Sequence, residues 1–183
     1  MRHPDLAARE RSCLLVVDVQ EALLRVIFEP ERVLENCCQL ARGARILGLP
    51  ILVTTQYAAR LGLTAPDLAE ALGQFALDKL TFSCCEAEGF CGRLAALQRD
   101  TVIVCGVEAH VCVNQTVLDL LASGYRVHTV ADATSSRAVG NCQAGLEKMR
   151  AAGAIITTTE IVLFELLQRA GTPEFRAVQS LVE

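Results

Sequence analysis

Cys112 closes the segment Gly106-Val-Glu-Ala-His-Val-Cys112, which follows the apolar run Thr101–Cys105 and leads straight into an amphipathic stretch. A cysteine in the first turn of a helix lies beside free backbone N–H groups and the positive end of the helix dipole, and both favour a thiolate. The same amides can hold a developing oxyanion on a substrate carbonyl. The position also suits a buried helix residue. Asp18 ends the apolar run Cys13–Val17 in "CLLVVDVQ", as a reactive acid or as the N-cap of a following helix. Lys79, in "ALDKLTFS", has mostly apolar neighbours. Taken singly it reads as a surface lysine whose stem covers apolar surface.

The elements that would position these residues are marked by hydrophobic pattern. Short, mostly continuous apolar runs at Cys13–Val17, Ile51–Thr54, Val102–Cys105, Val127–Val130 and Ala154–Ile156 predict buried parallel strands. Between them, Pro30–Leu47, Ala87–Gln98, Val113–Ser123, Asn141–Ala152 and Glu160–Arg169 read as helices, and "TAPDLAEAL" opens a shorter one. Gly48, Gly124 and Gly153 each follow a helical run and precede a strand, the usual place of a helix stop. Such alternation predicts an α/β protein with three layers, helices on both faces of a mostly parallel open sheet, in one domain spanning residues 1–183. Ligands of such sheets bind beyond the carboxyl ends of the strands, where the chain delivers both Asp18 and Cys112. The least regular stretch, residues 56–80, is placed to form a lid or pocket wall.

Composition narrows the function classes. The 183 residues carry a formal net charge of −4 with no block of five like charges, which argues against nucleic acid. The first apolar run is too short for a signal or membrane segment, so no membrane association and a cytoplasmic location are expected. Nine cysteines without a Cys-x-x-Cys pair fit reduced, mostly buried thiols better than a disulfide framework or a zinc ribbon.

Asp18, Lys79 and Cys112, in that order, each sit in a local motif that resembles the isochorismatase-like cysteine hydrolase superfamily, relatives of the nicotinamidases. The matching stretches are "LLVVDVQ" (14–20), "ILVTTQY" (51–57), "DKLTFS" (78–83), "VIVCGVEAHVCVNQTVLDLLASGYRVHTVADATSSR" (102–137) and "MRAAGAIITTTEIVLFELL" (149–167), nearly the whole chain. The resemblance implies a Rossmann-like sheet, Cys112 as nucleophile and Asp18 as general base. It makes Lys79 the cation that holds both and lowers the thiol's pKa. It also implies a non-proline cis peptide at Val107-Glu108, whose turn aims amides at the substrate oxygen.

Nicotinamidases of this superfamily hold a metal on an Asp-x-His stretch after the second strand. Here that place reads "TTQYAARLGLT", and the histidines are His3, His110 and His128. No metal and no cofactor are therefore expected. The stretch resembles instead the metal-free isochorismatase domain-containing branch. Gln20, Tyr57, Phe82, Glu108 and His110 are candidates for the pocket rim, each equally explicable by packing or capping. The function implied is hydrolysis of a small amide or related C–N carbonyl compound through a thioester. The alternative is a non-hydrolytic protein of the same fold that binds a small molecule or senses redox state. A homo-oligomer, at least a dimer, is also expected, because Ile161, Val162, Leu163, Phe164, Leu166 and Leu167 make one helix apolar around most of its circumference. Within one chain, the tail Pro173–Glu183 is the other element that could cover that surface.

Overall fold

The computed structural model describes residues 2–183. Its sheet contains β1 (Ser12–Val17), β2 (Ile51–Gln56), β3 (Leu77–Lys79), β4 (Thr101–Val107), β5 (Arg126–Ser135) and β6 (Ile155–Thr157). Their spatial order is β3-β2-β1-β4-β5-β6, and every neighbouring pair is parallel. The helices are α1 (Glu21–Leu24), α2 (Pro30–Leu47), α3 (Ala58–Leu61), α4 (Pro66–Leu72), α5 (Phe90–Ala96), α6 (Asn114–Ala122), α7 (Val139–Ala151), α8 (Thr159–Leu167) and α9 (Pro173–Val182).

β1 shows why the sheet is central. All of its residues are buried, and successive side chains point to opposite faces. Leu14 and Val16 join the layer built on Val33, Leu40 and Leu47 of α2 with Leu163 of α8. Cys13, Leu15 and Val17 join the layer of Phe90 and Leu94 of α5, Val117 and Leu120 of α6, and Met149 of α7. A strand covered on both faces must be apolar without alternation, as this one is.

The chain winds from β1 outward through β2 to β3, then crosses back and winds outward the other way from β4. The reversal lies between β1 and β4, and the carboxyl ends at such a switch point bracket a crevice. Asp18 follows β1 and the turn to Cys112 follows β4. Gly106, at the end of β4, has φ +126°, and a Cβ there would lie 2.1 Å from the Val17 carbonyl oxygen. Only glycine lets the two strand ends approach this closely.

The layered α/β architecture and the five expected strands are present. β5 runs five residues past its expected end because "ADATS" continues the strand after an irregularity opposite Val104 and Gly106. β3 escaped the pattern: Leu77-Asp78-Lys79 is short and carries no continuous apolar run. α9 folds over α8, with Phe164 and Phe175 edge to face at 6.2 Å and Val178 fully buried. The tail thus covers part of the α8 surface for which a symmetric partner was expected, while Ile161 and Phe164 remain exposed. Further exposed apolar side chains lie near the β3 edge, at Leu63, Phe75, Leu80 and Phe82, with Phe75 99% exposed.

Candidate active site

Asp18 and Lys79 meet at the carboxyl ends of β1 and β3. Asp18, with a left-handed φ of 55°, is fully enclosed. Its Oδ2 accepts from Lys79 Nζ at 2.7 Å, and its Oδ1 accepts from Thr54 Oγ1 at 2.7 Å. Lys79 Nζ also donates to Gln56 Oε1 at 2.7 Å and to the carbonyls of Thr81 and Phe82, both at 3.2 Å. Neither side chain has solvent-accessible surface. A buried ammonium is tolerated when opposite charge and acceptors surround it, and here one carboxylate and three further oxygens do so. The surface lysine of the single-residue reading is therefore a buried one.

Cys112 lies in a wide, π-like turn, Ala109–Val113, that runs into α6. Such turns cluster at functional sites. Its Sγ is 3.9 Å from Gln56 Oε1, the oxygen that Lys79 also engages. The peptide between Val107 and Glu108 is cis. Burial pushes the Cys112 thiol up to about 12, the Asp18 carboxylate adds to the rise, and Lys79 opposes it. A helix terminus supplies roughly 0.3–1 kcal/mol to a nearby anion, less than one pH unit of titration, so it does not reverse the effect of burial. The expected low thiol pKa is corrected accordingly. Lys79 is already neutralised by Asp18, and the resting residue is a protonated thiol poised beside a carboxylate.

Gln56 and Thr54 were not singled out from the sequence, yet they join the three residues. Their signal was present: "ILVTTQ" turns polar at its carboxyl end, where a parallel sheet presents groups to ligand. Thr116, one helical turn beyond Cys112, accepts from the Cys84 amide at 2.9 Å. The Cys84 thiol approaches Thr54 Oγ1 at 3.7 Å, and burial, with Asp18, raises its pKa.

The rim candidates separate. Gln20 is fully buried, donates to the carbonyls of Gln56 and Gly62, and accepts from the Gln56 amide. It therefore ties β2 to the following loop and offers no free group. Tyr57 is exposed and stacks under Arg60, while its amide donates to the Lys79 carbonyl. Phe82 acts through its carbonyl on Lys79, with its ring exposed. Glu108 and His110 face the end of β5 and the start of α7 through Arg137, Ser136 and Asn141. Among the described residues no three His, Cys, Asp or Glu side chains converge as metal ligands. Open cavities of about 370, 460 and 470 Å³ are lined by none of Asp18, Lys79 and Cys112. With Cys112 only 6% exposed, the three stand under a closed surface.

The profile of the isochorismatase domain matches residues 12–161, from β1 into α8. The chain belongs to the isochorismatase-domain family. The secreted isochorismatase effector Isc1 of Phytophthora sojae is 39% identical over 177 residues, covering 94% of this chain and 84% of its own length. A Caenorhabditis elegans structure described as MAR1 ribonuclease is 37% identical with a TM-score of 0.90, over 96% of this chain and 91% of that one. YcaC from Pseudomonas aeruginosa, solved with hexane-2,5-diol and covalent acrylamide, is 26% identical with a TM-score of 0.91, over 99% of this chain and 93% of its own. Membership of this isochorismatase-like family supports hydrolysis of a small molecule as the general activity.

Proposed function

We propose that the protein is a metal-independent cysteine hydrolase of a small amide or related C–N carbonyl compound. The observation that carries the reading is the enclosed Asp18–Lys79 pair joined through Gln56 Oε1 to the Cys112 thiol. As Sγ attacks the carbonyl carbon, Asp18 takes the thiol proton, and the carbonyl oxygen becomes an oxyanion held by backbone amides of the Val107–Cys112 turn. Collapse breaks the C–N bond, and the departing nitrogen leaves with the proton that Asp18 returns. A thioester remains. Asp18 then takes a proton from a water, whose oxygen adds to the acyl carbon; the C–S bond breaks, the carboxylic acid departs, and Asp18 returns the proton to Sγ. Lys79 stays protonated throughout and fixes the carboxylate.

The Asp18 carboxylate, fixed by Lys79 and close enough to act on the Cys112 thiol, supplies the base that hydrolysis requires and redox sensing does not. Covalent acrylamide on the Pseudomonas aeruginosa relative is in keeping with a nucleophile on this fold. The ribonuclease description of the Caenorhabditis elegans relative is not carried over, because this chain's net charge of −4 disfavours a phosphate backbone.

The reading includes a single domain over residues 1–183, no cofactor, and association into a homo-oligomer through the apolar surface near β3. It also includes a cytoplasmic location, supported by nine free cysteines; no helix of the described residues is long and apolar enough to cross a membrane. The test is turnover of a panel of small amides, with RNA oligonucleotides alongside. Amide hydrolysis that survives dialysis against chelator and vanishes in Cys112→Ala is expected. RNA cleavage without amide turnover would overturn the reading.

A further inference from the structure

We propose that Glu108, His110 and Arg137 form a clamp that positions the turn carrying Cys112, and through it the amides that receive the oxyanion. This inference rests on the hydrolase reading. Glu108 is nearly buried, and its carboxylate is held on both oxygens. Arg137 Nε lies 2.6 Å from Oε1; the Arg137 backbone N–H donates to Oε2 at 3.4 Å; His110 Nδ1 stands 3.3 Å from Oε2. The same ring nitrogen is 2.9 Å from the hydroxyl of Ser136, which is fully buried. The clamp thus spans from the end of β5 to the residue that opens the turn.

Movement of Glu108 is transmitted by the backbone. Its carbonyl accepts from Val111 N–H at 3.0 Å and from Val113 N–H at 3.2 Å, the amides flanking Cys112. From the other side α7 presses on the same turn. A Cβ on Gly145 would lie 2.9 Å from the Ala109 carbonyl oxygen and 3.1 Å from His110 Cα. The turn is held between a strand end and a helix, with the ion pair as its adjustable side. The Arg137 side chain is 61% exposed and that of Glu108 10%, so water screens the guanidinium side of the pair and limits what it adds to stability. Its effect is on geometry, where a displacement of about 1 Å can lower a rate a hundredfold.

Two probes separate positioning from simple integrity. Acylation by p-nitrophenyl acetate forms the Sγ–acyl bond and breaks the ester C–O bond; p-nitrophenolate leaves with the electron pair and the thiol proton passes to Asp18. That reaction needs an oxyanion site. Alkylation by iodoacetamide displaces iodide at a saturated carbon and needs none. In Arg137→Ala and Glu108→Ala, Cys112-dependent acylation should fall about tenfold or more, while alkylation stays within about threefold, since only the former uses the amides. Glu108→Gln, which keeps the side chain's shape and one of the two acceptor oxygens, should recover part of the acylation rate lost in Glu108→Ala. Wild-type acylation in Arg137→Ala, or an equal fall in both reactions, would overturn the clamp alone. If wild type and Cys112→Ala acylate alike, the hydrolase reading fails and the clamp's purpose with it.

Discussion

Lys79→Met keeps the length and apolar stem of the side chain and removes its charge. The Asp18 carboxylate, fully enclosed and 2.7 Å from the ammonium, would then keep only the Thr54 hydroxyl as a side-chain donor. The acceptors Gln56 Oε1 and the carbonyls of Thr81 and Phe82 would lose a donor as well. Removing one partner of a buried pair costs about 3–5 kcal/mol, because the remaining charge is left uncompensated. For a chain of this length each kcal/mol moves the thermal midpoint by roughly 2–4 °C, so a fall of about 10 °C is expected. Calorimetry and urea unfolding read it directly. Asp18→Asn combined with Lys79→Met removes both charges and should recover part of the loss, giving a coupling energy of more than about 1 kcal/mol in a double-mutant cycle. A Lys79→Met protein within about 1 kcal/mol of wild type would refute the buried-pair reasoning, since that is the range of exposed pairs.

Further outcomes follow from the same structure. With its thiol pushed up to about 12, Cys112 should react with iodoacetamide about tenfold faster per unit from roughly pH 6 to 9; a plateau inside that range contradicts a neutral resting thiol. His128 is buried, neither ring nitrogen has a hydrogen-bond partner among the described residues, and burial lowers its pKa to about 4. The unfolded chain, near ~6.5, binds that proton first, so stability is intact above ~6.5 and falls by on the order of 3 kcal/mol as pH drops toward 4. His128→Leu should flatten that acid limb, and an unchanged slope in urea titrations would be inconsistent with it. Phe75→Ser, at the 99% exposed side chain, should shift light-scattering mass toward the 19.7 kDa chain; a wild type already of that mass contradicts association.

Much of the fold was readable because burial on both faces forces uninterrupted apolar runs. Cys13–Val17 and Val102–Cys105 are such runs, and both became central strands, the second extended to Thr101–Val107. β3 was not readable, since an edge strand of three residues needs no pattern of its own. In the site, Asp18 and Cys112 were legible from their places after β1 and β4. The enclosure of Lys79 was not, because it depends on Gln56 and on two carbonyls whose positions are set by tertiary folding. The direction of the Cys112 titration was missed for the same reason: sequence shows the helix and the lysine, but not the burial of the thiol or the carboxylate of Asp18 beside it, which together outweigh Lys79. Glu108 and His110 were seen as pocket candidates, although the partners that turn them toward β5, Ser136 and Arg137, lie 26 residues or more along the chain.

The central claim is that Cys112 carries the acyl group. Rapid-quench mass spectrometry of the intact protein, followed by peptide mapping after mixing with an activated acyl donor or a hydrolysed amide, tests it most directly. The account predicts a transient mass increase equal to the acyl group, located on the peptide containing Cys112, sensitive to hydroxylamine and absent from Cys112→Ala. Full turnover by Cys112→Ala, or steady-state hydrolysis by wild type with the acyl group found on another residue, would contradict it.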